Sequence, residues 1–275
     1  MSDPSIAAPL DPDLGSTPVP PLELRWRSTV GAPPPRRIRL EIPGWAGADV
    51  QPADGARAQP WHCQPFVEGA TYGLELVYPY RSETRVVHAG DRLRFEGGLE
   101  EEIRETGQAH PFGQFARGHF GMNTGLDLLP PPGYALRLGP HPRCFMDDTG
   151  EVPVALPGHL QRFWPQHFFA VFRAPPPGGA LVFRPGEAYA QLTLVRVGEA
   201  VRVEPMPPEQ AADRGRQDVQ VGTLGYLLSK HLWRSSAGIW FGDKYKQLLR
   251  VFRRGGLDAV RAHLSALDDR AKPRR

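Results

Sequence analysis

Apolar and polar residues alternate over short runs through most of this chain. LELRWRS (22–28), RRIRLEI (36–42) and TRVVHAGDRLRFEG (84–97) carry apolar side chains at about every second position. That period puts one face of a β-strand on a core and leaves the other to water. Within the third run Ala89-Gly90-Asp91 predicts a hairpin turn. TYGLELVYP (71–79) is apolar enough for a buried strand that stops at Pro79. Leu126, Leu128 and Leu129 lead into Pro130-Pro131-Pro132-Gly133, and Tyr134, Leu136 and Leu138 follow. This reads as two strands around a proline-glycine corner. EVPVALPG (151–158), QHFFAVFRA (166–174) and LVFRPGEAYAQLTLVRV (181–197) complete the strand set, the last broken by a Pro185-Gly186 turn. The acidic stretch from Glu96 to Gly113 and the Gly/Pro/Ala-rich stretch from Pro43 to Pro60 read as loops.

Beyond Pro208 the period changes. GTLGYLLSKHLW (222–233) suits a helix, and Tyr245, Leu248, Leu249 and Phe252 share one helical face. Leu257, Val260, Leu264 and Leu267 repeat that spacing after Gly255-Gly256, which predicts two helices broken at the glycines. The expected organisation is a disordered N-terminal segment over 1–21, a β domain over 22–208 and a helical, basic extension over 209–275. Thirty-one prolines and thirty glycines in 275 residues fit many short strands better than a helical bundle. The class is therefore mainly β, an antiparallel β domain with a helical C-terminal extension.

Charge sharpens the division. Lys230 to Arg275 holds 12 basic and 4 acidic residues, whereas the rest holds 21 basic against 26 acidic. The basic tail reads first as a helical cap that buries its apolar faces on the β domain and leaves its charges to water; the alternative is docking on an acidic surface, as in a homo-oligomer, with nucleic acid the weaker version. The body would repel phosphates, and few aromatic residues interleave the basic ones for stacking. Two cysteines make no secreted disulfide framework. The first 21 residues lack the apolar run of a signal peptide, and no apolar stretch approaches the roughly 20 residues of a membrane helix. A soluble, cytoplasmic protein is expected, without membrane association.

TGLDLLPPPGYALRLGP (124–140) resembles the segment of dUTPases and dCTP deaminases in which a Thr-Gly strand enters a Pro-x-Gly-Tyr corner. Pro185 to Val195 resembles their later Gly-Asp-x-Ile-Ala-Gln-Leu strand through Gly186, Glu187, Ala190, Gln191 and Leu192, and ATYGLELVYP is similar to their early strand. The order along the chain agrees. The resemblance implies a dUTPase-like β-clip over about Ala70 to Val197, and the whole chain is similar to a bacterial protein family with this strand order and no assigned activity. Where those enzymes carry Pro-Arg-Ser-Gly to hold phosphate, this chain has Pro140-His141-Pro142-Arg143. EVPVALPGHLQRFW supplies no counterpart of their water-activating Asp. Losing that carboxylate costs a factor of about 10²–10⁴ in rate, so the hydrolase activity does not carry over.

Local signatures of catalysis are missing. There is no Gly-x-Ser-x-Gly, no Walker loop and no Gly-x-Gly-x-x-Gly. His62-Cys63 with His141-x-x-Cys144 lacks the paired spacing of a zinc site, and His110, His119, His159 and His167 come without the His-x-Asp or His-x-Glu of an iron oxygenase. No metal ligands are therefore assigned, and neither catalytic residues nor a cofactor is indicated. Trp61, Phe66, Phe163, Trp164, Phe168 and Phe169 suit a core or, less readily, an apolar pocket. His141, Arg143, Arg162, His167 and Glu187 are the polar candidates for ligand binding. The expected function is a non-catalytic or divergent β-clip protein that binds a small molecule or protein partner. The alternative is an enzyme, either a divergent nucleotide hydrolase or deaminase relative or a metal-dependent oxygenase.

Overall fold

The computed structural model describes residues 20–39, 63–116, 118–234, 238 and 240–271. The expectations for residues 1–19, for the loop over 43–60 and for Trp61 and His62 lie outside that set. The described chain falls into two compact units, a β unit of residues 21–39 and 68–200 and a helical unit of residues 63–67 and 201–271. Among the described residues, no helix is long and apolar enough to cross a membrane.

Thirteen strands build the β unit: β1 (Arg25–Ser28), β2 (Arg36–Arg37), β3 (Leu74–Val77), β4 (Thr84–Ala89), β5 (Arg92–Gly97), β6 (Phe112–Ala116), β7 (His119–Asn123), β8 (Leu126–Leu129), β9 (Tyr134–Pro140), β10 (Gly158–Leu160), β11 (Phe169–Arg173), β12 (Ala180–Phe183) and β13 (Ala188–Arg196). Every pairing is antiparallel. The largest sheet has the order β10-β9-β13-β3-β2, and smaller ones run β11-β7-β6, β12-β4-β5 and β1-β8. The proline-glycine corner thus joins two sheets, since β8 pairs with β1 while β9 pairs with β10 and β13. Prolines cannot donate to a ladder, so a Pro-rich link suits a chain that leaves one sheet for another.

An aromatic cluster closes the sheets on one another. Phe120 stacks on Phe172 at 5.3 Å between centroids, Phe172 meets Phe183 edge-on at 5.1 Å, and Phe112 lies 5.0 Å from Phe183. Tyr78 and Tyr189 complete the group. They come from β6, β7, β11, β12 and β13 and, for Tyr78, from the residue that follows β3. Most of the described aromatics singled out from sequence stand elsewhere: Phe168 is buried, but Phe163 is 78% exposed, and Trp164 and Phe169 also face solvent.

Two local expectations change. EVPVALPG forms no strand of its own up to Pro157; Ala155 makes an isolated bridge to Phe172, and the Glu151 carbonyl accepts the Val182 N–H at 2.8 Å. Pro153 and Pro157 remove the donors that a longer ladder needs. Part of the acidic stretch is a helix, α2 (Leu99–Thr106), not a loop. It buries Leu99 and Ile103, one turn apart, and Gly107 ends it in the left-handed conformation at φ +67°. Glu100, Glu101 and Glu102 sit in its first turn, where the helix dipole favours anions. A short helix α1 (Gln64–Ala70) precedes β3.

In the helical unit, α3 (Pro208–Thr223) and α4 (Gly225–Leu228) lead to a hairpin of β14 (Leu232–Arg234) and β15 (Trp240–Gly242), then to α5 (Lys244–Ala271). The break at Gly255 and Gly256 is present, with Gly256 at φ +64°. Leu224, Leu228, Leu264 and Leu267 form a small separate core. The end of the 222–233 stretch is therefore strand rather than helix, because Leu232 to Arg234 pair with Trp240 to Gly242.

Two glycines separate torsional from steric demand. Gly133 has φ +79° with nothing within 4 Å of an added Cβ, whereas Gly73, at φ +86°, would place its Cβ 2.3 Å from the Leu192 carbonyl oxygen. Gly133→Ala should cost about 1–2 kcal/mol, the left-handed penalty alone. Gly73→Ala should cost clearly more, since β3 and β13 must part to admit the methyl. Urea midpoints of the two variants check this, and equal losses would show that the clash relaxes freely.

Candidate functional site

The strand GLELVY carries one acid in an apolar run. Glu75 is 1% exposed, and burying an ionised carboxylate is costly unless donors surround it. Its sheet supplies them. Arg36, directly opposite on β2, donates Nε to Oε1 at 2.6 Å. Oε2 accepts the Arg39 backbone N–H at 3.3 Å and lies 3.2 Å from His141 Nε2.

His141 stands just past β9, at the N-cap of a single 3-10 turn, Pro142–Phe145. Pro142 at the first position suits such a start. The His141 Nδ1 accepts the Arg143 backbone N–H at 3.3 Å. A nitrogen that accepts an N–H carries no proton, so the ring proton sits on Nε2 and is donated to Glu75. Both imidazole nitrogens and both Glu75 oxygens are thereby engaged, and neither His141 nitrogen is left to take a proton from a ligand. Burial pushes the Glu75 carboxyl up. The hydrogen bonds from His141, Arg36 and the Arg39 backbone more than offset that and hold it below the usual carboxylate range.

The turn carries Arg143 toward Glu187, whose Oε2 takes Nη2 at 2.5 Å. Glu187 follows Gly186 in the turn that enters β13, and its carbonyl accepts the Tyr78 N–H at 2.9 Å. Around these groups lies a cavity of about 480 Å³, lined by Arg36, Arg39, Glu75, His141, Arg143 and Glu187, with Met146 among the remaining walls. Three guanidinium-bearing residues face two carboxylates there, and Arg39 joins none of the ion pairs among the described residues. The lining favours an anion. A larger groove of about 810 Å³ lies in the helical unit, but its walls are mostly apolar.

Of the five residues singled out from sequence, His141, Arg143 and Glu187 converge at this cavity. Arg162 instead donates to the Pro130 carbonyl at the proline-glycine corner, and His167 pairs with the Thr29 hydroxyl at 3.0 Å. Glu75, Arg36 and Arg39 were missed by the sequence reading. The signal for Glu75 was an acid inside a strand apolar on both faces, which only a buried ion pair explains. Among the described residues, no three His, Cys, Asp or Glu side chains are grouped to hold a metal ion.

No family model matches the chain, and no curated protein does. Among solved structures, the native EIAV dUTPase is similar over 68% of this chain and 98% of its own, at 9% identity and a TM-score of 0.33.

The lowered Glu75 carboxyl makes stability depend on acid. Its ordinary value is 4.5 and its folded value is lower, so its contribution is full above pH 4.5 and fades as pH falls through the folded value. Glu75→Gln should cost about 1–3 kcal/mol at neutral pH, because the amide presents donors to donors. The gap between variant and native protein should narrow on acidification, read from urea unfolding on both sides of that value. A gap independent of pH would mean the carboxylate charge contributes nothing.

Proposed function

We propose that the β unit is a β-clip-type binding domain that holds a small anionic molecule in the Glu75 cavity without turning it over. The β-clip assignment draws support from two features lying where the dUTPase resemblance expects them. β8 enters the Pro130–Gly133 corner, and the Pro185-Gly186 turn feeds β13. A cavity near 500 Å³ falls within the range that takes metabolite-sized ligands.

The observation that carries the reading is the closed polar pair. His141 and Glu75 spend their hydrogen-bonding capacity on each other, on Arg36 and on backbone N–H groups, which rigidifies the floor and leaves no free base. Above it, Arg39 and Arg143 present donors suited to carboxylate or phosphate. Arg143 can turn from Glu187 to a ligand oxyanion, and Glu187 then keeps Arg184, whose Nη1 lies 3.9 Å from its Oε2. The enzymatic alternatives need a water-activating group or a metal ligand set, and Glu187, released by a ligand on Arg143, is the carboxylate a hydrolase reading would have to use.

The experiment is a binding screen of anionic metabolites, including dUTP and dCTP, by thermal shift and calorimetry on the full chain. A ligand bound in the cavity should lose about 10–100-fold in affinity in Arg39→Ala and in Arg143→Ala, the usual worth of a charged hydrogen bond. Arg39→Ala should leave the melting temperature of the free protein unchanged, since that side chain holds no described ion pair. No shift with any anion would sink the binding reading. Pyrophosphate release from dUTP or ammonia release from dCTP above background would replace it with the catalytic one.

A further inference from the structure

The helical unit carries a surface that has no part in the cavity. Arg234 and Trp240 stand directly opposite each other on β14 and β15, and the guanidinium lies over the indole at 5.8 Å from the ring centroid. Trp240 is nonetheless 63% exposed, and Leu232, on the same face of the hairpin, is also open to solvent. An indole this open, with a guanidinium over it, keeps ring surface available to a partner.

This hairpin is anchored. Asp243 is buried and accepts the backbone N–H groups of Lys230 at 2.7 Å and His231 at 3.2 Å. Its own N–H donates to the His231 carbonyl at 3.3 Å, and the Gln247 side-chain amide donates to it at 2.6 Å. Burial pushes the Asp243 carboxyl up, but these hydrogen bonds hold it below the usual range. The strand ends are thus tied to the first turn of α5. That turn exposes Lys244, Tyr245 and Lys246, and Arg250, Arg253 and Arg254 are exposed further along. From Lys230 to Arg254 the chain holds seven Lys and Arg and a single acid, the inward-facing Asp243.

We propose that this surface binds single-stranded nucleic acid. Trp240 and Tyr245 offer rings on which bases stack, and Arg234, Lys230, Lys244 and Lys246 meet the phosphates, the pairing of aromatic faces with cations that such binding uses. A protein partner fits less well, because interface cores are depleted in lysine. Duplex fits less well because its bases are already stacked. The strand pairing brings the aromatic and the cation together: Arg234 and Trp240 are six positions apart along the chain and directly opposite across the hairpin.

The test is fluorescence anisotropy of the full chain with a labelled oligopyrimidine about ten nucleotides long, at low and moderate salt. Binding should fall steeply as salt rises. Trp240→Ala should weaken it about tenfold with an unchanged melting temperature, and Trp240→Phe should retain most of it. Lys244→Glu with Lys246→Glu should weaken binding and flatten the salt dependence. The Arg39→Ala variant of the β unit should bind the oligonucleotide like the native protein, which keeps this inference separate from the anion cavity. Absence of binding at low salt, or equal affinity of Trp240→Ala and native protein, overturns the proposal. Co-sedimentation with anionic phospholipid vesicles in place of oligonucleotide binding would reassign the surface to a bilayer.

Discussion

A carboxylate with 1% exposure is tolerable only if it is ionised among donors or protonated, and Glu75 takes the first course. Its donors come from β2, from the backbone just beyond β2 and from the turn after β9. Together they fix two segments against β3, residues 36–39 and the turn at His141, which are far apart in sequence. His141 passes the constraint on, for its second nitrogen holds the backbone of the turn that aims Arg143 at Glu187. One buried charge thereby organises the end of the five-stranded sheet, from the edge strand β2 to the entry of β13. Removing a single donor leaves the others facing an under-satisfied anion, which is why such networks stand or fall together.

The same bookkeeping of lone pairs and protons decides what the site can do. An imidazole beside a carboxylate suggests general-base chemistry when seen as a pair. With the Arg143 amide on Nδ1 and Glu75 on Nε2, it is a brace. What remains for a ligand is the guanidinium layer above, and guanidinium groups recognise planar oxyanions far better than they transfer protons. The proposed recognition without turnover rests on that arrangement, and the aromatic cluster of Phe112, Phe120, Phe172 and Phe183 packs the neighbouring sheets together.

The helical unit uses a parallel device at smaller scale. Asp243 is buried and satisfied chiefly by backbone N–H groups, which fastens a two-stranded ribbon to the start of a long helix. In both units a lone acid in an otherwise apolar or basic neighbourhood marks the point where non-adjacent segments lock. The acid at Glu75 holds a cavity floor, and the acid at Asp243 holds an exposed aromatic ribbon.

Much of the secondary structure was legible in the residues themselves. Period-two alternation located β4, β5, β9, β12 and β13, the proline-glycine corner located the turn at Gly133, and helical spacing with Gly255-Gly256 located the two halves of α5. These are local signals, in which each residue reports its own exposure. Helix α2 escaped because only Leu99 and Ile103 mark its buried face, and EVPVALPG was read as a strand because alternation does not reveal a missing partner. The site was legible in part. His141, Arg143 and Glu187 stood out as polar residues beside turns, whereas Arg162 and His167 shared that look and bond elsewhere. Glu75 meets His141 across 66 positions, and nothing at either end states the other's place. The sequence by itself determined which segments extend, bend or coil, because periodicity is written residue by residue. Only the tertiary structure decided which charges meet, because a buried ion pair depends on strand order and register, which join segments that carry no local trace of each other.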